Sequence, residues 1–412
     1  MLNEINKCRL SNSSNLTSVL NLGNQCFTGI FPRSRDQHVS QGPLELVWCK
    51  KDSNLIQLRH SFPINEMYGE NYGYRSGLNQ SMVNHLKRKV EYLESIILLE
   101  SDDLVLDIGS NDATTLKAYS KQKIIRVGID PTGNKFKDYY TDGIVLIDDF
   151  FPTKRFEDNF PKKKAKIITS IAMLYDLEDP LKFVKSIKKL LHYDGIWHFE
   201  QSYLPSMLKA NAYDTICHEH LEYYTLRNIK YMLEKFSLKI IDVQTNDING
   251  GSFAVTATHS TSNIFPSNDA VINWMLAQEK RMGLHTLKPY REFKKRVYQH
   301  RTELKELITS LVEGGKIIFG YGASTKGNVI LQFCDFTEHE ISYIAEVNED
   351  KFGCFTPGTK IPIIPENEAR KMKPDYFLVF PWHFKNNILS REQEFRSTGG
   401  KFIFPLPSIE II

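Results

Sequence analysis

At 412 residues the chain is longer than a single hydrophobic core usually supports, so we expect two or three domains. Apolar residues make up 41% and charged residues 25%, which excludes the disordered and fibrous classes. The 52 Lys and Arg residues nearly balance 49 Asp and Glu, and the basic residues are dispersed, so nucleic acid is not expected as a partner.

The segment 1–16 is polar and charged and lacks the apolar stretch of a signal peptide. No segment approaches the roughly 20 apolar residues that span a bilayer. We therefore expect a cytoplasmic enzyme without a membrane partner. The six cysteines are scattered along the chain, which indicates reduced thiols and not a disulfide framework.

Taken in chain order, the first 60 residues contain short β-like runs between Ser- and Asn-rich turns, which predict a small β-rich module. Residues 77–99 have apolar side chains at helical spacing. Beyond them strands alternate with helices, which predicts a mostly parallel, doubly wound sheet. The predicted strands are 104–108, 124–129, 144–147, 166–170 and 195–199, and the predicted helices lie near 114–120 and 180–192.

A helix near 228–236 precedes two strands, 238–243 and 252–258, which could close this sheet. The charged segment 266–313 predicts a helix or a helix pair with a solvated face. A second α/β unit follows, with strands at 316–320, 341–345, 376–380 and 401–404. The fold class is therefore α/β, divided into an N-terminal module (1–75), a central domain (76–262), a helical connector (263–313) and a C-terminal domain (314–412).

The strongest local signal is the strand that ends at Asp107 and opens into a turn containing Gly109 and Asn111. Gly109 allows close backbone approach to a ligand, and Asp130, at the end of the next strand, can accept ribose hydroxyl protons. This pattern predicts a nucleoside site. The turn lacks the three glycines of a dinucleotide cradle, which favours S-adenosylmethionine over NAD.

After the third strand, Asp149 and Phe150 offer a polar group and an aromatic wall for adenine. We predict both as cofactor contacts. The alternative is an ordinary core strand that ends in a turn.

The second constellation is Cys217-His218-Glu219-His220, in a variable segment after the fifth strand. A histidine can remove a proton near neutral pH, and an adjacent carboxylate can orient it. Two other interpretations stay open at this point. One is a metal site built on Cys217, His218 and His220, and the other is a structural histidine.

The third constellation is the turn from Gly320 to Lys326, which follows an apolar strand. Its glycines, hydroxyl groups and lysine suggest an anion cradle. The predicted contacts are Tyr321, Ser324, Thr325 and Lys326. The spacing is not that of a nucleoside-triphosphatase loop.

Taken together, these motifs resemble the bacterial nucleotide-sugar C-methyltransferase family over nearly the full length. That family implies an N-terminal zinc-binding module, a central class I (Rossmann-like) methyltransferase domain that binds S-adenosylmethionine, and a C-terminal Rossmann-like domain that binds a nucleotide sugar. The resemblance rests on the order of Gln57-Leu58, Tyr72–Ser76, Ile108–Asp112, Asp149–Phe151, His218–His220, Gly250-Gly251, Gly320–Lys326, Thr356–Thr359 and Gly399–Phe402.

By position, the resemblance implies that His220 is the general base and that Glu219 contacts the sugar or that base. Tyr72 or Tyr74 resembles a tyrosine that reaches into the site. Cys217 stands where some members have a tyrosine, and we include it among the catalytic residues. We include His218 among the substrate contacts, with the 320–326 turn.

The sequence also departs from the family. The cysteine pairs of the N-terminal module are degenerate, since Ser11 follows Cys8 and Asp52 follows Cys49, so zinc is not expected; Cys8, Cys49 and Asp52 would be its ligands if it bound. Ala113 replaces a usual glycine and could crowd the cofactor. A histidine found in some members is replaced by the Tyr175-Asp176 region.

We therefore expect S-adenosylmethionine-dependent C-methylation of a nucleotide-diphosphate keto-sugar through an enolate, by a monomer or homodimer. The alternatives are methylation of a sugar hydroxyl and a catalytically silent nucleotide-sugar-binding protein.

Overall fold

The computed structural model describes residues 2–50, 53–67, 74–121 and 123–412. Two predicted residues, Tyr72 and Asp52, lie outside these ranges. None of the helices within them has the length and apolar character needed to cross a bilayer.

The N-terminal module is built on antiparallel strands. A two-stranded ribbon pairs β1 with β5, and a four-stranded sheet has the order β11-β4-β3-β2. Its last member, β11, comes from the central part of the chain and pairs Glu222 with Gln57. The elements are β1 (Asn3–Glu4), β2 (Leu16–Cys26), β3 (Gln41–Cys49), β4 (Ile56–Leu58), β5 (His60–Ser61), α1 (Ile64–Met67) and β11 (Glu222–Tyr223).

The central sheet has seven strands in the order β12-β13-β10-β9-β6-β7-β8. Strands β10, β9, β6, β7 and β8 are parallel, and β13 runs antiparallel to both of its neighbours. The strands are β6 (Leu104–Ile108), β7 (Ile125–Ile129), β8 (Val145–Ile147), β9 (Ala165–Ile171), β10 (Leu191–Ser202), β12 (Leu238–Asn246) and β13 (Ser252–His259).

Helices cover this sheet as expected for parallel strands joined by crossovers. The first, α2, begins at an Asn79 cap whose side chain accepts a hydrogen bond from the Ser81 amide. The helices are α2 (Gln80–Ile96), α3 (Thr114–Lys117), α4 (Gly133–Phe136), α5 (Lys154–Asn159), α6 (Pro180–Leu190), α7 (Leu204–Lys209) and α8 (Leu226–Lys235).

The charged connector forms α9 (Asp269–Arg281) and α10 (Lys288–Glu313). The C-terminal sheet follows, with six strands in the order β16-β15-β14-β17-β18-β19, parallel except for the last pair. Its elements are β14 (Ile318–Tyr321), α11 (Thr325–Phe333), β15 (Ile344–Glu346), β16 (Ile363–Pro365), α12 (Glu366–Lys371), β17 (Tyr376–Val379), α13 (Lys385–Arg391), α14 (Gln393–Ser397), β18 (Lys401–Phe404) and β19 (Glu410–Ile411).

The apolar core shows how the three parts meet. One large cluster joins the β-rich module, the segment 204–223 and the C-terminal domain. The apolar side chains of the central sheet belong to two other clusters. The segment that carries Cys217–His220 therefore packs mainly against the two flanking parts. Its backbone is fixed on both sides, because Leu58 N donates to Leu221 O at 2.8 Å and Leu221 N donates to Tyr175 O at 2.7 Å.

The predicted fold class is confirmed: the central domain has the class I, Rossmann-like arrangement. The strands at 238–246 and 252–259 close the sheet at one edge. The elements of the second α/β unit and the helical connector also lie where the sequence predicts them. Strand β11 crosses a predicted boundary, since it belongs to the module sheet although it begins only two residues after His220.

Candidate active site

A cavity of about 580 Å³ opens at the carboxyl ends of the parallel strands of the central sheet. This edge is where ligands bind in open α/β folds, because loops diverge there and helix N-termini face the same space. Its lining includes residues of the central domain, Tyr74 from the preceding segment, and Thr325 and Lys326 from the C-terminal domain. The sequence-predicted residues in the lining are Tyr74, Asp107, Gly109, Asn111, Asp130, Phe150, Glu219, His220, Thr325 and Lys326.

One end of the cavity is built from the turn after β6. Gly109 has a φ of +74°, a conformation that side-chain-bearing residues rarely adopt. Asp130 accepts hydrogen bonds from the Asn111 amide at 2.7 Å and from the Thr132 amide at 2.7 Å. The Asp130 carboxylate is thereby fixed and, with two lone pairs on each oxygen, can still accept from a ligand hydroxyl.

Asp107 lies behind this turn, is 2% exposed and accepts a hydrogen bond from the Thr169 hydroxyl at 2.6 Å. Burial raises the pKa of its carboxyl to about 7. The negative charge of this carboxyl at neutral pH is therefore reduced.

The two residues predicted after the third strand separate in the structure. Phe150 lines the cavity and is 45% exposed, as an aromatic wall would be. Asp149 does not line it, because its carboxylate accepts hydrogen bonds from the Phe150 amide and the Thr153 hydroxyl. The neighbouring Phe151, the last residue of the Asp149–Phe151 motif, also lines the cavity.

Ala113 does not crowd the cavity. It is fully buried in the core beneath α3, with a left-handed backbone (φ +60°), and it is not a lining residue. The usual glycine is favoured at this position by backbone conformation and not by space for a ligand.

These features fit S-adenosylmethionine. The cavity provides a close backbone approach at Gly109, a fixed carboxylate at Asp130 for the ribose hydroxyls and an apolar wall at Phe150 and Phe151. No three-glycine phosphate cradle is present at this turn, and S-adenosylmethionine has no phosphate to bind.

His220 lines the same cavity. Its Nδ1 is 2.7 Å from the Thr215 carbonyl oxygen, which can only accept, so Nδ1 carries the hydrogen and Nε2 has the free lone pair. The Tyr175 ring packs against the imidazole with 4.4 Å between ring centroids. Burial, and the nearby positive charge of Lys326, lower the pKa of His220 to about 4, so the imidazole is unprotonated at neutral pH.

Glu219 lies beside it and also lines the cavity. The Cys217 thiol donates to its carboxylate, and burial raises the pKa of Glu219. Among the described residues, no group hydrogen-bonds to its Oε2. Gly29 of the N-terminal module packs closely against Glu219, because a Cβ at this position would lie 2.5 Å from Glu219 Oε1.

Cys217 itself is buried and outside the lining, and burial places its pKa well above the ordinary value. Its contact is with Glu219, so it supports that residue. A direct contact with substrate, which the sequence reading allowed, does not follow from this position.

Three residues predicted as substrate contacts, His218, Tyr321 and Ser324, form hydrogen bonds within the protein instead. His218 packs between Phe27 and Phe62, with centroids at 4.8 and 4.6 Å, and its Nε2 donates to the Gly42 carbonyl oxygen. Tyr321 is buried within the C-terminal domain and donates to Glu392 at 2.8 Å. Neither side chain reaches the cavity.

Ser324 also has a structural task, because its hydroxyl caps α11 by accepting from the Gly327 amide at 3.0 Å. The Ala323 amide in the same turn donates to Glu346 Oε2 at 2.7 Å. A carboxylate of the protein thus takes the place that an anion would have in the predicted cradle. Only Thr325 and Lys326 of this turn face the cavity.

A buried charged cluster at the end of β10 was missed by the sequence reading. Glu200 lines the cavity, and its two oxygens lie 2.6 Å from His85 Nε2 and 2.6 Å from Lys89 Nζ. Burial alone would raise the pKa of Glu200, but the hydrogen bond from His85 and the charge of Lys89 lower it to about 2. His85 and Lys89 are one turn apart on α2, and the only sequence signal was a carboxylate at a strand end.

Cys8, Ser11 and Cys49 of the degenerate cysteine pairs come together with Ser53, whereas Asp52 lies outside the described residues. Cys8 Sγ is 3.1 Å from Ser53 Oγ, and Ser11 Oγ is 3.4 Å from Cys49 Sγ. Two thiols and two hydroxyls do not fit structural zinc, which takes four thiolate or imidazole ligands. Within the described ranges no cluster of three or more His, Cys, Asp or Glu side chains is arranged for a metal ion.

Known proteins share this organisation. Residues 80–243 match the family profile "Methyltransferase domain". Matches of 14% identity or less to solved methyltransferases include CcbJ from Streptomyces caelestis (8% identity, TM-score 0.34, 43% of this chain and 90% of that chain) and the magnesium protoporphyrin IX methyltransferase ChlM from Synechocystis PCC 6803 (11%, 0.32, 44% and 79%). The site and the family match over residues 80–243 define a methyltransferase that depends on S-adenosylmethionine.

The flanking regions also match. Residues 8–68 match "Putative zinc binding domain", and residues 247–407 match "C-methyltransferase C-terminal domain". "C-methyltransferase NovU" of Streptomyces niveus is 30% identical over 411 residues, which cover 99% of this chain and 97% of that protein. The chain belongs to the C-methyltransferase family.

Proposed function

We propose that the chain methylates a carbon next to the ketone of a nucleotide-diphosphate-linked keto-sugar or keto-deoxysugar, on a route to surface polysaccharides or deoxysugars. The observation that supports this proposal most directly is the position of His220. Its free Nε2 lies in the same cavity as Gly109 and Asp130, so a base and the nucleoside site of the cofactor face one space.

The proton transfer follows from this geometry. A C–H bond beside a ketone is too weak an acid to ionise in neutral water, so a positioned base is required. Nε2 of His220 accepts the proton, the C–H electron pair becomes the C=C bond, and the carbonyl π pair moves to oxygen. Thr215 holds the ring in the tautomer that makes this possible.

When bound, S-adenosylmethionine supplies the methyl group, and the electron pair of the broken carbon–sulfur bond stays on sulfur. The task of the protein in that step is positioning. Asp130 and the Gly109 turn hold the nucleoside end. The enclosure of the cavity by α2 through Met82 and Leu86, together with Phe151, excludes water from the reacting carbon.

The sugar part of the proposal rests on the resemblance in motif order described above and on the size of the cavity. A volume of about 580 Å³ lies within the range of about 300–1,000 Å³ typical of small-molecule sites. The chemical class of the substrate, a ketone with an adjacent C–H, rests on the pairing of a base with a cofactor site.

Incubation of the protein with S-adenosylmethionine and a nucleotide-diphosphate 4-keto-sugar tests this. We expect a product heavier by one methylene unit, with its new methyl group bonded to carbon in the 13C NMR spectrum. A methyl group bonded to oxygen would instead support the sugar O-methyltransferase. Failure to bind S-adenosylmethionine at millimolar concentration in a calorimetric titration would leave the silent binding protein.

A further inference from the structure

We propose that Lys326 of the C-terminal domain hydrogen-bonds to the ketone oxygen of the substrate and stabilises the enolate that His220 generates. The inference rests on the proposed function and adds a second catalytic residue to it. It also gives the C-terminal domain a direct part in the chemistry, beyond holding a nucleotide.

The position of Lys326 is the first argument. Lys326 is the second residue of α11 and lines the cavity with His220 and Glu219. Its Nζ donates to the Asn249 carbonyl oxygen at 2.7 Å, across the contact between the central and C-terminal domains. One of the three ammonium hydrogens is used in this bond, so two remain for a ligand.

The contact that holds Lys326 is itself well defined. Asn249 has a left-handed backbone (φ +56°) and is followed by Gly250, where a Cβ would lie 3.0 Å from the Trp382 ring. Trp382 Nε1 in turn donates to Asp214 Oδ2 at 2.8 Å. The close packing of Gly250 on Trp382 thus brings the Asn249 carbonyl to Lys326.

The charge of Lys326 is the second argument. Asp214 lies near enough to affect it electrostatically, but within the described part of the chain no carboxylate forms an ion pair with Nζ. The ammonium charge is therefore available to an oxyanion. Both residues line the same cavity. Burial lowers the pKa of Lys326, and its charge in turn lowers the pKa of His220, so the two groups interact electrostatically.

Other polar groups of this region bond within the protein, which is the third argument. The Cys217 thiol donates to Glu219, and the Ala323 amide donates to Glu346. The Ser324 hydroxyl oxygen accepts from the Gly327 amide of its own helix. The turn therefore does not form a phosphate cradle around Lys326, and of the two residues of the turn that face the cavity, Thr325 and Lys326, only the lysine carries a positive charge.

The electron balance needs no further reactant. His220 takes the proton from carbon, the oxygen takes the carbonyl π pair, and Lys326 keeps its own proton while donating a hydrogen bond to that oxygen. A preorganised donor of this kind is worth about 10²–10³ in rate in enzymes that stabilise oxyanions.

The test is solvent deuterium exchange at the carbon beside the ketone, measured by NMR in D2O without S-adenosylmethionine. For Lys326→Met we expect exchange to fall by about 100-fold, and for Lys326→Arg by a smaller factor, because the guanidinium keeps the charge. The matched control is Lys371→Met, an exposed lysine of the same domain, which should exchange at the wild-type rate.

A pH profile separates a catalytic role from a structural one. The groups around the imidazole are Lys326 from α11, Glu219 and Cys217 from its own loop, and the Tyr175 ring that packs against it. Asp176 and Asp214 act electrostatically on Cys217 and Lys326. Removing the lysine charge should move the acidic limb of exchange to higher pH in Lys326→Met. Lys371→Met should leave the limb in place.

The outcomes are distinct. Lys326→Met that binds S-adenosylmethionine normally and exchanges within twofold of wild type would overturn the assignment, as would a rise in KM with kcat unchanged. If the wild type itself neither exchanges nor methylates any nucleotide keto-sugar, the proposed function fails and the role of Lys326 with it. Unaltered cofactor binding shows that the variant is folded.

Discussion

Nδ1 of His220 lies 2.7 Å from the carbonyl oxygen of Thr215, five residues earlier in the same segment. This one hydrogen bond determines which ring nitrogen is free, and it orients that nitrogen into the cavity. The strand that follows, β11, pairs with the module sheet, so the module holds the base in place without contributing the base itself.

The low pKa of His220 predicts an unusual pH profile. A base is active when unprotonated, so activity falls as pH drops through its pKa. With a pKa of about 4, kcat/KM should stay flat from pH 7 to about pH 5. A histidine with an ordinary pKa of about 6.5 would instead lose about tenfold by pH 5.5. An acidic limb centred near pH 6.5 would contradict the buried environment.

Two of the three carboxylates predicted as cofactor contacts, Asp130 and Asp149, should behave differently. Asp130 faces the cavity, and losing a charge-assisted hydrogen bond of about 1.5–3 kcal/mol weakens binding by about 10- to 100-fold. We therefore expect Asp130→Asn to bind S-adenosylmethionine that much more weakly in a calorimetric titration. Asp149→Asn is the matched control and should bind nearly as the wild type does. Equal losses in both variants would show that the cavity is assigned to the wrong end of the sheet.

Gly29 should matter for activity although it lies in the N-terminal module. The Cβ of Gly29→Ala would lie 2.5 Å from Glu219 Oε1, so the carboxylate must move. Misplacement of this size can reduce kcat by about 10- to 100-fold. Steady-state methyl transfer measures the loss, and the melting temperature should change little.

A second glycine of the module provides the contrast. Gly23→Ala meets no atom within 4 Å but has a φ of +85°, so it should lower the melting temperature and leave kcat unchanged. If Gly29→Ala retained full activity, the module would have no influence on Glu219.

The cluster of Cys8, Cys49, Ser11 and Ser53 predicts that the wild-type protein binds little zinc. Purified wild-type protein should contain well under one equivalent of zinc by elemental analysis, since serine hydroxyls are poor ligands. The double variant Ser11→Cys, Ser53→Cys restores four thiols and should bind one equivalent and melt at higher temperature. Ser95→Cys with Ser397→Cys, both exposed, is the control and should bind none. Stoichiometric zinc in the wild type would show that residues beyond the two hydroxyls complete the site.

The sequence predicted much of the fold because parallel strands with buried faces produce apolar runs of a readable length. It also predicted that the Asp107–Asn111 turn and Asp130 lie together, since both sit at strand ends that a doubly wound sheet brings to one edge, and both line the cavity. His220 and Glu219 were singled out because they share one short, chemically rich segment, and both line the same cavity.

The failures have a different origin. His218 is adjacent to Glu219 in sequence, but the turn directs its ring between Phe27 and Phe62, and no local pattern encodes that direction. The cradle prediction failed because Glu346, on the next strand, accepts the Ala323 amide hydrogen bond. The Glu200 cluster depends on a partner 115 residues away, a contact that only the tertiary fold creates.

The central claim is that His220 removes a proton from the carbon that receives the methyl group. The most direct measurement is deuterium incorporation at that carbon in D2O, without S-adenosylmethionine, for the wild type and His220→Asn. We expect exchange in the wild type and its loss in His220→Asn, with cofactor affinity retained. Exchange at the wild-type rate in His220→Asn would contradict it.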